Sequence, residues 1–123
     1  MIKANELRLG NWVNYDEPYN GKPNYQQLGF EYFIMIGNGK TFAISPITLT
    51  PEILEKCGFE RLVYEDFPED QLYQYGDGFI LNYTADGWNL SDHSITKMMK
   101  FKFVHQLQNL YFALTWEELT INL

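Results

Sequence analysis

Four features of the sequence carry residue types that could do chemistry. Asp92-His93-Ser94 puts an acid, an imidazole and a hydroxyl side by side. Adjacent residues in a turn cannot face one another as a nucleophilic relay requires, so this is a turn and not a triad. Glu65-Asp66-Phe67-Pro68-Glu69-Asp70 places four carboxylates in six residues. A calcium loop needs regularly spaced ligands and usually an internal glycine; this run has neither and reads as a solvated acidic loop. Cys57 is the single cysteine, which excludes an intramolecular disulfide and a cysteine-rich zinc site. It falls near a helix C-terminus, away from the N-terminal position that lowers a thiol pKa, and reads as a small buried thiol. His93 and His105 are the two histidines, and only tertiary structure could make them share a metal. With no nucleophile elbow, phosphate-binding loop or His-Glu-x-x-His pair, no enzyme, cofactor or metal site is expected.

A fifth candidate is the row His105, Gln108, Asn109. Three side chains able to donate and accept hydrogen bonds line one helix edge there. Bonding to the backbone of a neighbouring sheet is the preferred reading, and a binding site the weaker one.

The helix carrying that row organises the rest. In Phe101–Leu114, Phe103, Leu107, Leu110 and Leu114 recur at steps of four, three and four, one face of an α-helix. Val104, Tyr111 and Ala113 widen the face, while His105, Gln108, Asn109 and Phe112 flank it. Thr115-Trp116-Glu117-Glu118 reads as a small capping box leading into an extended tail. A second helix is marked at 51–57: Thr50 is an N-cap, Pro51 fits N1, Glu52 complements the dipole, Leu49 can staple onto Leu54 and Gly58 stands at C′.

The remainder reads as strands and turns. Residues 4–15 read as a short turn followed by a first strand, and residues 16–24 are turn types almost throughout. Gln26–Ile36 has apolar residues on both faces and reads as a buried strand. Gly37-Asn38-Gly39 then signals a hairpin, with 40–44 as the returning strand. Beyond the short helix, 59–64 reads as a strand, 71–75, 79–84 and 88–90 form an antiparallel meander of three strands after the acidic loop, and 95–102 holds one more strand.

Composition bounds the partners. The 123 residues are 46% hydrophobic and 17% aromatic, which excludes disorder and suits one domain. No apolar run approaches the length of a membrane span, and the N-terminus lacks a signal-peptide core. Net charge is −7, concentrated in 47–92, where ten acids oppose only Lys56 and Arg61. That disfavours broad binding to a phosphate backbone. Lys97, Lys100 and Lys102 form a basic cluster too small to reverse the argument.

Three blocks resemble a family of small proteins carried by phages, prophages and mobile elements of gut Bacteroidales. They are Asn-Glu-Leu-Arg-Leu-Gly-Asn-Trp-Val at 5–13, Ile-Thr-Leu-Thr-Pro-Glu-Ile-Leu-Glu-Lys-Cys-Gly-Phe-Glu at 47–60 and Val-His-Gln-Leu-Gln-Asn-Leu-Tyr-Phe-Ala-Leu-Thr-Trp-Glu-Glu-Leu at 104–119. The chain departs from the family pattern at Trp116, where a glycine is usual. The resemblance implies a cytoplasmic accessory protein of a mobile element and brings no activity and no site residues.

The expectation is therefore an α+β fold in a single compact domain of at most two lobes, 1–46 and 47–123. An N-terminal SH3-like small β-barrel or β-hairpin lobe is followed by helix 51–57, the meander, and a C-terminal helix of about 102–114 packed on the sheet. The functional expectation is a cytoplasmic, non-enzymatic protein-binding module using exposed members of Tyr15, Tyr19, Tyr25, Tyr73, Tyr75 and Trp88, since nine Tyr and three Trp are interface-prone types. Homo-oligomerisation stays open. The alternative is a nucleic-acid-associated protein, binding single strands on the β lobe or mimicking DNA with its acidic middle.

Overall fold

The Thr50-Pro51-Glu52 signal becomes helix α2, Pro51–Lys56, as expected. The Thr50 hydroxyl accepts from the Ile53 amide at 3.3 Å, satisfying one of the donors that a helix start leaves open. Its end is a Schellman motif: the Gly58 amide donates to Glu55 O at 3.1 Å and the Phe59 amide to Leu54 O at 3.0 Å. Gly58 has φ +92° there, a left-handed conformation suited to glycine.

The computed structural model describes residues 6–19, 22–39, 44–65, 67–76, 79–84, 87–90, 100–121 and 123; the side chains of 16–19, 22, 36, 64 and 67–70 lie outside that description. The fold is α+β, with a three-stranded and a four-stranded sheet and three helices. It divides into two compact units: residues 1–48 with 103–119, and residues 49–102 with 120–123. The C-terminal helix thus belongs with the N-terminal residues, rather than with the rest of the expected 47–123 lobe.

In the first unit, strands β1 (Trp12–Tyr19) and β2 (Lys22–Gln27) pair antiparallel, and β3 (Ile44–Ser45) pairs with β1 at Asn14 and Tyr15. The order β2-β1-β3 leaves an open sheet, so the expected barrel is not closed. Residues 16–24, expected as a loop, lie largely in strands, with the register shifting between Tyr15 and Tyr19. Asn20 and Gly21 lie outside the described residues.

The largest departure is within the strand expected at 26–36, of which Gln26 and Gln27 are strand, ending β2. Instead of a strand, Phe30–Gly37 forms helix α1. Within it Tyr32 is buried with Phe33 packed beside it, while Phe30 and Ile34 share an exposed face, an asymmetry that a doubly apolar run hides. Glu31 stands in the first turn, where a carboxylate complements the dipole. Gly37-Asn38-Gly39 is consequently the end of this helix: the Asn38 amide donates to Ile34 O and Met35 O. The returning strand expected at 40–44 is represented by Ile44 alone; 40–43 lie outside the described residues.

Helix α3, Val104–Thr115, begins where expected, with Gln106 Oε1 accepting from the Phe103 amide at 3.1 Å. Its buried stripe is Val104, His105, Leu107, Gln108 and Tyr111, rotated from the expected face so that Leu114 is exposed. Gln108 takes the inward position because the sheet's leading residues bond to it, as described below. The capping box expected at 115–118 does not start another helix. Thr115 ends α3, its hydroxyl donating to Tyr111 O and accepting from the Glu117 amide. Trp116 follows at φ +63°, where a side chain costs about 1–2 kcal/mol.

In the second unit, the strand expected at 59–64 is β4 (Glu60–Tyr64); β5 (Phe67–Tyr75), β6 (Phe79–Thr84) and β7 (Gly87–Leu90) form the expected three-stranded meander, which β4 joins by pairing with β5 in sequential antiparallel order. Residues 67–70, expected in an acidic loop, are instead the first half of β5. Its core includes Leu49, Ile53, Leu54, Cys57, Phe59, Tyr73, Leu81, Trp88 and Leu90. Trp88 is 1% exposed, stacks on Tyr83 at 4.4 Å and donates from Nε1 to Leu49 O at 3.1 Å, so its polar edge is satisfied as well as its ring. Phe101 bridges to Trp88, but 91–99 lie outside the described residues, and so does most of the strand expected at 95–102. No helix among the described residues is long and apolar enough to cross a membrane.

At Gly87, φ is +125° and an added Cβ would stand 2.8 Å from Phe101 O. The Trp88 amide donates to that same oxygen at 2.7 Å, so neither backbone can retreat freely. Gly87→Ala is expected to lose more than about 2 kcal/mol of stability in urea unfolding, whereas Gly76→Ala, at φ +61° with nothing within 4 Å, should lose about 1 kcal/mol.

Candidate functional site

The site is built where residues 6–12 meet α3. Gln108, 2% exposed, acts as a backbone surrogate: its Oε1 accepts from the Trp12 amide at 2.8 Å and its Nε2 donates to Gly10 O at 3.0 Å. Asn109 Nδ2 donates to Glu6 O at 3.0 Å, while its Oδ1 accepts from Arg8 Nε at 2.8 Å and Asn11 Nδ2 at 2.9 Å. Asn11 in turn accepts from the Arg8 amide at 2.6 Å. The backbone-bonding reading of the polar row is therefore what Gln108 and Asn109 display.

Arg8 is saturated by these neighbours. Its guanidinium donates to Glu118 Oε1 at 2.7 Å and Oε2 at 3.4 Å, and to Gln108 O at 3.3 Å. Its other face lies 4.5 Å from the centre of the Phe112 ring, a cation–π distance. This planar donor fork is held on its edge and on its face.

Beside this clamp opens a groove of about 500 Å³, lined by Leu7, Arg8, Leu9, Phe30, Phe33 and Glu118. Leu7 is buried, whereas Leu9, Phe30 and Ile34 are exposed, Phe30 to 67%. Phe30 and Ile34 are four residues apart on α1, so they share one helix face. Across the clamp, Phe112 meets Trp116 edge-on at 6.1 Å, and Trp116 is 82% exposed. The site is an open apolar groove with one neutralised ion pair in its wall.

The six aromatic residues expected at a contact surface are distributed differently. Tyr15 packs partly buried against the first unit's core, Tyr25 is exposed, and the Tyr19 side chain lies outside the described residues. Tyr73 is buried, meeting Trp88 edge-to-face at 5.6 Å, and Tyr75 is partly buried, 5.2 Å from Phe59. Tyr73 and Trp88 are thus packing residues, buried with Leu49, Ile53 and Leu54 in the core of the second unit. Sequence reasoning missed Leu9, Phe30, Ile34 and Trp116. Assigning 26–36 to a strand concealed the shared face of Phe30 and Ile34.

Among the titratable candidates, burial pushes the Cys57 thiol up to about 11, which keeps it protonated and unreactive. His105 is buried, 6.0 Å from and parallel to Phe103, and neither ring nitrogen has a hydrogen-bond partner among the described residues. Burial lowers its pKa, opposed in part by Glu6. Asp92-His93-Ser94 lies outside the described residues, as do Asp66 and the 67–70 side chains of the acidic run. Among the described residues no group of three or more His, Cys, Asp or Glu could hold a metal ion.

Two outcomes follow. Gln108→Leu orphans the Trp12 amide and should cost on the order of 1–3 kcal/mol in urea unfolding, whereas Leu114→Ala, at an exposed position, should change stability by about 0.5 kcal/mol or less. The folded state resists protonating His105 while the unfolded chain takes up the proton near pH 6.5. Stability should be intact above that pH and fall as pH drops below it, by at most about 1.4 kcal/mol per pH unit. Subtracting the His105→Leu curve isolates this slope; identical wild-type and variant slopes between neutral and mildly acidic pH would remove His105 as its source.

The chain matches no family model, and comparison with curated proteins and with solved structures finds no match either.

Proposed function

We propose that the protein is a non-enzymatic interaction module that grips a partner protein in the groove of its first unit, as an accessory protein of a mobile element. The observation that carries this reading is the exposure of Leu9 and Phe30 in the lining of an open groove, with Ile34 exposed one helical turn beyond Phe30. Large apolar side chains scattered singly over a surface need no explanation, but adjoining ones around a concavity mark contact sites. Trp and Arg are the residue types that dominate binding energy in such sites, and Trp116 and Arg8 both meet the Phe112 ring. The supporting scaffold is rigid where it matters, because Arg8 is fixed by three side-chain or backbone acceptors and one ring. A preorganised surface binds without the entropic cost of ordering itself.

Affinity capture with tagged protein from a lysate of the organism that carries the gene tests this reading. A protein partner should survive nuclease treatment and be lost with Phe30→Ser. Capture that nuclease abolishes would replace the reading with nucleic-acid association, and capture indifferent to Phe30→Ser would move the binding surface elsewhere.

A further inference from the structure

The groove specifies more than apolar contact. Resting on the interaction reading, we infer that its occupant is a basic amphipathic helix of a partner protein. The wall supplied by α1 is itself a helix edge, with Phe30 and Ile34 exposed one turn apart, a separation of about 6 Å along the axis. Side chains spaced i, i+3, i+4 and i+7 on a second helix interdigitate with such a ridge. The floor formed by Leu7, Leu9 and Phe33 receives the apolar face.

Charge selects the other face of that helix. Glu118 lines the groove but is paired with Arg8, which leaves the charge to Glu6, Glu31 and Glu117, all exposed and each one residue in sequence from a lining position. Arg8 is the only Lys or Arg side chain described in this unit, Lys3, Lys22 and Lys40 lying outside the described side chains. Arg8 is already occupied by Glu118, Asn109 and Gln108, so it cannot attract an acidic partner. Apolar surface bordered by carboxylates is complementary to a leucine-rich helix flanked by Lys or Arg, and the same border disfavours anionic ligands. A second copy of this chain is disfavoured for the same reason, since a two-fold contact would bring the same carboxylates against each other.

The test uses the full chain and three labelled synthetic peptides followed by fluorescence anisotropy. One is a leucine–lysine peptide with leucines at i, i+3, i+4 and i+7, the second has glutamate for lysine, and the third scrambles the first. The leucine–lysine helix should bind saturably, and the scrambled and glutamate forms at least about ten-fold more weakly. Ile34→Ser should weaken the leucine–lysine complex by about ten-fold or more, and Glu31→Lys with Glu117→Lys should shift preference toward the glutamate peptide. Both sets of positions are exposed, and matching thermal melts confirm that the variants fold; were Ile34→Ser to unfold, the charge-reversed variant still decides. Equal binding of all three peptides, or binding indifferent to these substitutions, overturns the inference. So does a dimer that Ile34→Ser dissociates, which would make a second copy the occupant. Failure with the peptides alongside Phe30-dependent capture from lysate would leave the interaction reading standing and remove only the basic helix.

Discussion

The first unit depends on two adjacent amides of α3, Gln108 and Asn109, which bond the chain leading into β1. Gln108 supplies the donor and the acceptor that a neighbouring strand would otherwise supply to Gly10 and Trp12. It thereby sets the rotation of α3 about its own axis. Once Gln108 points inward, Val104, Leu107 and Tyr111 follow it into the core by helical geometry, and Leu114 is turned out. A buried amide with both its functions satisfied carries no desolvation penalty to offset and is strict about geometry. Leucine alone would have allowed several rotations of comparable energy.

The groove is a by-product of the same constraint. Asn109 fixes Asn11 and Arg8, Arg8 reaches Glu118 beyond the end of α3, and the exposed ion pair so formed adds little stability by itself. Its effect is geometric: it places a rigid, neutralised wall beside Leu7 and Leu9. Trp116 in the left-handed region lets the chain reverse after Thr115 and present Glu118 to Arg8. The second unit has no comparable long-range amide pair among its described residues. It is held by local devices, the capped α2 and the sequential hairpins of its meander, and by rings packed around Trp88.

Where reading the sequence succeeded, the physics was local. Thr50, Pro51 and Gly58 act within a single turn on backbone groups one to three residues away, so α2 and both of its ends were legible. The meander was legible because turn glycines and alternating strands are nearest-neighbour signals. Residues 26–36 failed for the converse reason: a run apolar on every side satisfies a strand and a helix equally. Burial of Tyr32 beside Val13 and Ile44, with Phe33 packed against the same cluster, decided between them.

The amino-acid sequence by itself determined the α+β class, the capped helix α2 and the period of α3, the strand meander and the backbone-directed use of Gln108 and Asn109. Only the tertiary structure decided that α1 is a helix, that α3 joins the N-terminal unit, and that Phe30 and Trp116 are exposed while Tyr73 and Trp88 are buried. The physical reason is that caps and turns act over a few residues, whereas exposure depends on which distant segment covers a side chain. Arg8 meets Glu118 across 110 positions of chain, and no local pattern encodes that meeting.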